Sequence, residues 1–142
     1  MTLLRKFILI GLFSATAATA ANLTLEDYWQ LTKLRLELAA VEWQERITVA
    51  EQAKGDRKVF MARSEAITKQ YAGHQRSLHL KFGATPLEYL HFETDHAREI
   101  DSYLQSEEGA GVKREIERLR GKIQGLMQRF DGLNADLMRE DK

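Results

Sequence analysis

From Val112 onward, apolar residues recur at alternating steps of four and three: Val112, Ile116, Leu119, Ile123, Leu126, Phe130, Leu133 and Leu137. Arg, Lys, Glu and Gln fill most positions between them, so the apolar side chains fall on one stripe of a helix. A seam of this period predicts a coiled-coil-like helix over 112–139 that packs lengthwise against another helix, internal or from a second copy. Ile116, Leu119, Ile123, Leu126, Phe130, Leu133 and Leu137 form this expected interaction seam. Gly121, Gly125 and Gly132 lie off it. Each lowers intrinsic helicity by up to about 1 kcal/mol, so the helix should depend on its packing.

The earlier segments carry the same period on broader faces. Leu31, Leu34, Leu38 and Val41 form one stripe, and Trp29, Leu36 and Trp43 run beside it. The pattern predicts a helix over 24–54 that is buried on more than one face. Thr24 is its expected cap, with Asp27 near the positive end of the helix dipole. Gly55-Asp56 is the expected break before a second helix over 56–82, which places Phe60, Ile67, Tyr71, His74 and Leu78 along one side. Gly83 suits the left-handed residue after a helix. Thr85-Pro86-Leu87-Glu88 then combines a capping hydroxyl, a proline at the first helical position and a glutamate three residues after the cap. A tight reversal and a third helix over 86–105 follow from that signature, with Gly109-Ala110-Gly111 as a flexible joint. The class is all-α: a four-helix bundle or long α-hairpins forming one domain over 21–142.

Residues 1–20 have a different character. Arg5 and Lys6 precede the apolar run Phe7 to Phe13, and small residues at Ala18 and Ala20 precede Ala21. This is the layout of a cleaved secretory signal peptide. Its apolar run is about half of the roughly 20 residues needed to cross a bilayer, so no transmembrane span is expected in the mature chain. The expected location is periplasmic or secreted, in a bacterium.

Charge and cysteine content narrow the function. The formal net charge is zero, and removing Arg5 and Lys6 leaves 19 basic residues against 21 acidic ones. That balance, and the lack of interleaved aromatic and basic residues, argue against nucleic acid as a partner. The chain has no cysteine, which excludes disulfides, thiolate zinc sites and c-type haem attachment. The charge is nonetheless uneven. Lys54 to Lys81 holds seven basic and two acidic residues, whereas Glu88 to Glu108 holds seven acidic residues and only Arg98 opposing them. The two stretches either neutralise each other as antiparallel neighbours or present a basic helix to a negative partner, such as the envelope surface or an acidic protein.

The densest polar cluster is His91-Phe92-Glu93-Thr94-Asp95-His96. His91 and Asp95 are four residues apart and share a helical face, as do His96 and Glu99 at a spacing of three. If the second and third helices are antiparallel about Gly83, His79 can approach His91, and His91, Asp95 and His79 become the candidate metal ligands. His74, on the apolar side of the second helix, otherwise reads as a boundary or core residue. Tyr28, Trp29 and Trp43 read as large core residues that could also line an apolar groove. No serine stands on a nucleophile elbow and no glycine-rich phosphate loop precedes a helix, so no catalytic residue and no cofactor are expected.

The segment pattern resembles in class the small helical periplasmic stress chaperones, with one departure. Leu31-Thr32-Lys33-Leu34-Arg35 carries arginine where their Leu-Thr-x-x-Gln signature has glutamine. The expected function is non-enzymatic: a chaperone-like protein or adaptor acting by protein–protein interaction in the envelope. The alternatives are a periplasmic metal-binding protein and a structural homo-oligomer joined through the C-terminal seam.

Overall fold

The computed structural model describes residues 22–139; the leader expected over residues 1–20 lies outside them. The described chain is helical, with no strand among the described residues. Its helices are α1 (Leu25–Ala53), α2 (Arg57–Lys81), α3 (Pro86–Asp95), α4 (Ala97–Gln105) and α5 (Ala110–Arg139). No helix among the described residues is long and apolar enough to cross a membrane.

Local chemistry sets most helix ends. Thr24 closes a full capping box on α1, its hydroxyl accepting from the Asp27 amide at 3.0 Å while the Asp27 carboxylate accepts from the Thr24 amide. Lys54 and Gly55 then take left-handed conformations, with φ of 47° and 84°, and Asp56 caps α2 through the Val59 amide. Gly83, at φ 65°, turns the chain into a second capping box, Thr85 with Glu88, with Pro86 inside the first turn of α3. Only glycine takes that conformation without a Cβ penalty.

Two of these joints differ from their expected form. The helix expected over 86–105 breaks at His96, which has φ −109° and ψ 18° and gives α4 no side-chain cap. Its ring lies flat on Phe92 at 4.0 Å, and its Nδ1 approaches the Phe92 carbonyl. The joint before α5 is packed rather than loose. Gly109 is buried, and a Cβ there would stand 1.8 Å from the Tyr103 carbonyl oxygen. Ser106 tightens the joint by donating to that carbonyl and accepting from the Gly109 amide.

α1 is the spine. α2 runs antiparallel to it, as the bonds from Tyr71 to Glu45 and from Arg63 to Gln52 show. α5 runs parallel to α1: Val112 and Ile116 lie near Trp29 at one end, and Arg129 pairs with Glu51 at the other. Two core clusters result. The upper one joins Leu23, Tyr28, Trp29 and Leu31 to Tyr89, Phe92 and Ile116, with α3 and α4 folded over it. The lower one joins Val49, Ala50 and Ala53 to Phe60, Ile67, Tyr71 and Leu137. Phe130 bridges its sides, with ring centroids 5.4 Å from Trp43 and 6.1 Å from Phe60.

Candidate functional site

The seam of α5 faces inward. Ile116, Leu119 and Leu137 are buried, and Ile123, Leu126, Phe130 and Leu133 are half-buried along the flank of α1. The internal partner of the seam is therefore α1. Ile116, Leu119 and Leu137 are thus covered within one copy, while Ile123, Leu126, Phe130 and Leu133 keep part of their surface open.

The metal-ligand set does not assemble. His79 is turned into the core with its ring edge-on to Tyr89 at 5.8 Å, whereas His91 and Asp95 are exposed on α3. No group of three His, Asp or Glu residues among the described residues is placed to hold a metal ion. The physical reason is that α3 folds back over the end of α2 with Tyr89 inward. Tyr89 covers His79, Phe92 stacks on Tyr28 of α1, and the phase of α3 that carries His91 faces solvent. The same geometry exchanges the roles of the two α2 histidines. His74, expected among the apolar residues, is exposed, and His79 is the buried one.

Around His79 the chain builds a polar-aromatic knot. Tyr28 stacks on Tyr89 at 5.1 Å and donates its hydroxyl proton to Glu93 at 2.8 Å. Thr32 donates to the Tyr28 carbonyl at 2.7 Å, so its contact with the Tyr89 hydroxyl, also 2.7 Å, is donated by Tyr89. The Arg35 guanidinium lies 4.2 Å above the Tyr89 ring. Burial holds the Tyr28 hydroxyl protonated far above its usual range, and the neighbouring Tyr89 and Glu93 add to this. Neither ring nitrogen of His79 has a well-formed hydrogen bond, and only the Ala84 backbone approaches the ring as a polar neighbour. Burial and the positive Arg35 lower its proton affinity, and the Ala84 backbone pulls weakly the other way.

An open apolar groove lies between α1 and α2. It has a volume of about 490 Å³ and is lined by Leu34, Leu38, Val41, Tyr71 and Leu78, with Glu37, His74 and Lys81 at its margins. Leu34 is 39 % exposed and Val41 58 %, so two residues of the stripe expected to be core stand open to solvent. Pattern reasoning missed them because α2 and α5 pack against α1 and meet each other at Phe60 and Phe130, which leaves a strip of α1 uncovered. The signal was the width of the apolar face, which exceeds what two neighbours can cover. The Tyr71 floor of the groove is fixed from below by donation to Glu45 at 2.6 Å, and burial with that carboxylate pushes its hydroxyl up to about 12. Trp29 is buried in the upper core and Trp43 is packed edge-on to Phe130, so neither lines the groove.

This groove can accept an apolar stripe of another chain, since its exposed anchors Leu34 and Val41 are two helical turns apart on one face. Comparison of the chain with protein-family profiles, with curated proteins and with solved structures finds no match.

Proposed function

We propose that this chain is an exported, non-enzymatic helical protein of the bacterial envelope that binds apolar segments of other proteins in the groove between α1 and α2, as a chaperone-like holder or adaptor. The groove carries the reading: Leu34 and Val41 stand exposed beside Leu38 and Leu78, at the i, i+4 and i+7 spacing that suits an amphipathic segment laid along it. Exposed leucine and valine gathered in a concave strip cost solubility unless something covers them at least part of the time. Export is supported by the leader pattern of Arg5, Lys6, Phe7 to Phe13 and Ala18-Thr19-Ala20. The absence of catalytic work is supported by carboxylates that serve as caps and surface pairs, as Glu88 and Glu65 do.

The test is suppression of aggregation of a denatured client, measured by light scattering, for the wild type and for Leu34→Ser with Val41→Ser. Both positions are exposed, so the double variant should keep its helical circular dichroism. The wild type should suppress scattering and the double variant should lose most of that effect. Equal suppression by both, or none by the wild type, would remove the reading.

A further inference from the structure

The geometry points to pairing of two copies of this chain about a two-fold axis beside the Gly83 turn, the basic α2 of each lying against the acidic α3–α4 of the other around a centre of Leu80, Leu87 and Leu90. This goes beyond the groove reading and uses none of its residues.

Three observations meet at that corner. The first is apolar. Leu80 is 77 % exposed, Leu87 60 % and Leu90 50 %, and all three lie within seven residues of Gly83. Leu80 points away from α1, opposite the face of Phe60, Ile67 and Tyr71, and Leu87 and Leu90 point away from the buried Tyr89 and Phe92.

The second is charge that the fold leaves uncompensated. Lys69 and Arg76 are seven residues apart on the outer face of α2, and both are exposed. Lys69 pairs only with Glu65 on its own helix, and Arg76 makes no ion pair among the described residues. Beyond the turn, Asp95 and Glu99 are exposed and also make none among the described residues. The two oppositely charged stretches therefore do not neutralise each other within one copy through these residues, although a single turn joins them.

The third is symmetry. A two-fold interface requires that the patch be its own complement, with residue i meeting j and j meeting i. A surface that is positive on one side of a turn and negative on the other meets that condition when a second copy is laid on it antiparallel. Each basic stripe then meets an acidic one, twice. The leucines at the pivot supply the apolar centre and the charges supply the rim, which is the usual anatomy of such interfaces. A net charge of zero for the full chain, or of minus two (19 basic against 21 acidic residues) without Arg5 and Lys6, puts little long-range repulsion in the way.

Sedimentation velocity on the chain, purified as the cell processes it, at about 100 μM and about 50 mM salt tests this. A species of twice the chain's mass is expected, weakening roughly tenfold or more as the salt is raised to about 500 mM. Lys69→Glu with Arg76→Glu should be monomeric, because each copy then presents acid to acid. Asp95→Lys with Glu99→Lys should be monomeric for the opposite reason. Mixed in equal amounts, the two variants should recover the dimer, since both contacts become complementary again. A monomeric wild type, a dimer indifferent to either reversal, or a ladder of growing oligomers would overturn the proposal. Loss of client suppression in the Leu34, Val41 double variant with the dimer intact would leave it standing, so the two readings fail separately.

Discussion

Replacing His79 by leucine should stabilise the protein and flatten its response to acid. The imidazole is 2 % exposed, and neither ring nitrogen has a well-formed hydrogen bond, so folding strips water from two polar atoms and returns only the weak pull of the Ala84 backbone. Such an unpaired group costs about 1–3 kcal/mol, whereas an apolar side chain of similar size avoids the cost. Against this stands the edge-on contact with Tyr89, of which leucine keeps only part; ring pairs of this kind contribute about 0.5–1.5 kcal/mol. The net expectation at neutral pH is a gain of about 1 kcal/mol, or roughly 3–5 °C in Tm for a chain of this size.

The acid limb has a definite sign. His79 faces Arg35 of α1, Tyr89 of α3 and the Ala84 backbone, none of which offers it a negative charge, and burial lowers its proton affinity below the free value of about 6.5. The unfolded chain then binds this proton more readily than the folded one. Stability from this group is complete above about pH 6.5, falls as pH drops toward the lowered folded value, and is level below it. Each unit of lowering corresponds to about 1.4 kcal/mol. Urea denaturation of wild type and His79→Leu at about pH 7.5 and pH 5 should show the variant ahead at both, by more at the lower pH. A variant less stable than wild type at neutral pH, with an undiminished acid slope, would refute the reasoning.

The remaining expectations concern backbone and surface. Gly109→Ala should cost about 1–3 kcal/mol by urea denaturation, because its methyl would enter the Tyr103 carbonyl and force α4 and α5 apart. Lys54→Gly should stabilise by up to about 1 kcal/mol in the same assay, since a lysine held at φ 47° carries left-handed strain that glycine does not. Tyr71, held up to about 12, should ionise about two pH units above a free tyrosine in an ultraviolet titration. Its contribution to stability is present below about pH 10 and lost as pH rises through the folded value, and Tyr71→Phe should remove that alkaline loss.

What could be read from the sequence was local. The all-helical class follows from residue usage and period, and the caps at Thr24 and Thr85, the first-turn Pro86 and the left-handed Gly83 each depend on neighbours within four residues. What could not be read depends on distant chain. The break at His96 has no glycine or proline to announce it and rests on stacking with Phe92. The buried histidine is His79 rather than His74 because α3 covers one side of the end of α2. The i, i+4 spacing of His91 and Asp95 is silent about which way that face points. Leu34 and Val41 are open because α5 takes the Trp29 to Ile47 flank of α1, a choice that its heptad seam does not encode.

The parallel pairing of α1 with α5 imposes a timetable on biosynthesis. A ribosome delivers α1 and α2 first, and they can fold back on each other as a local hairpin. The flank of α1 bearing Trp29, Leu36, Ala40 and Ile47 must then wait for a helix that begins at Ala110, more than fifty residues after α1 ends. Until Ala110–Arg139 emerges, a nascent chain of this protein presents that greasy flank to whatever surrounds it, so α5 acts as a seal as well as a strut, and a chain cut short before Ala110 should be a sticky fragment rather than a smaller working protein.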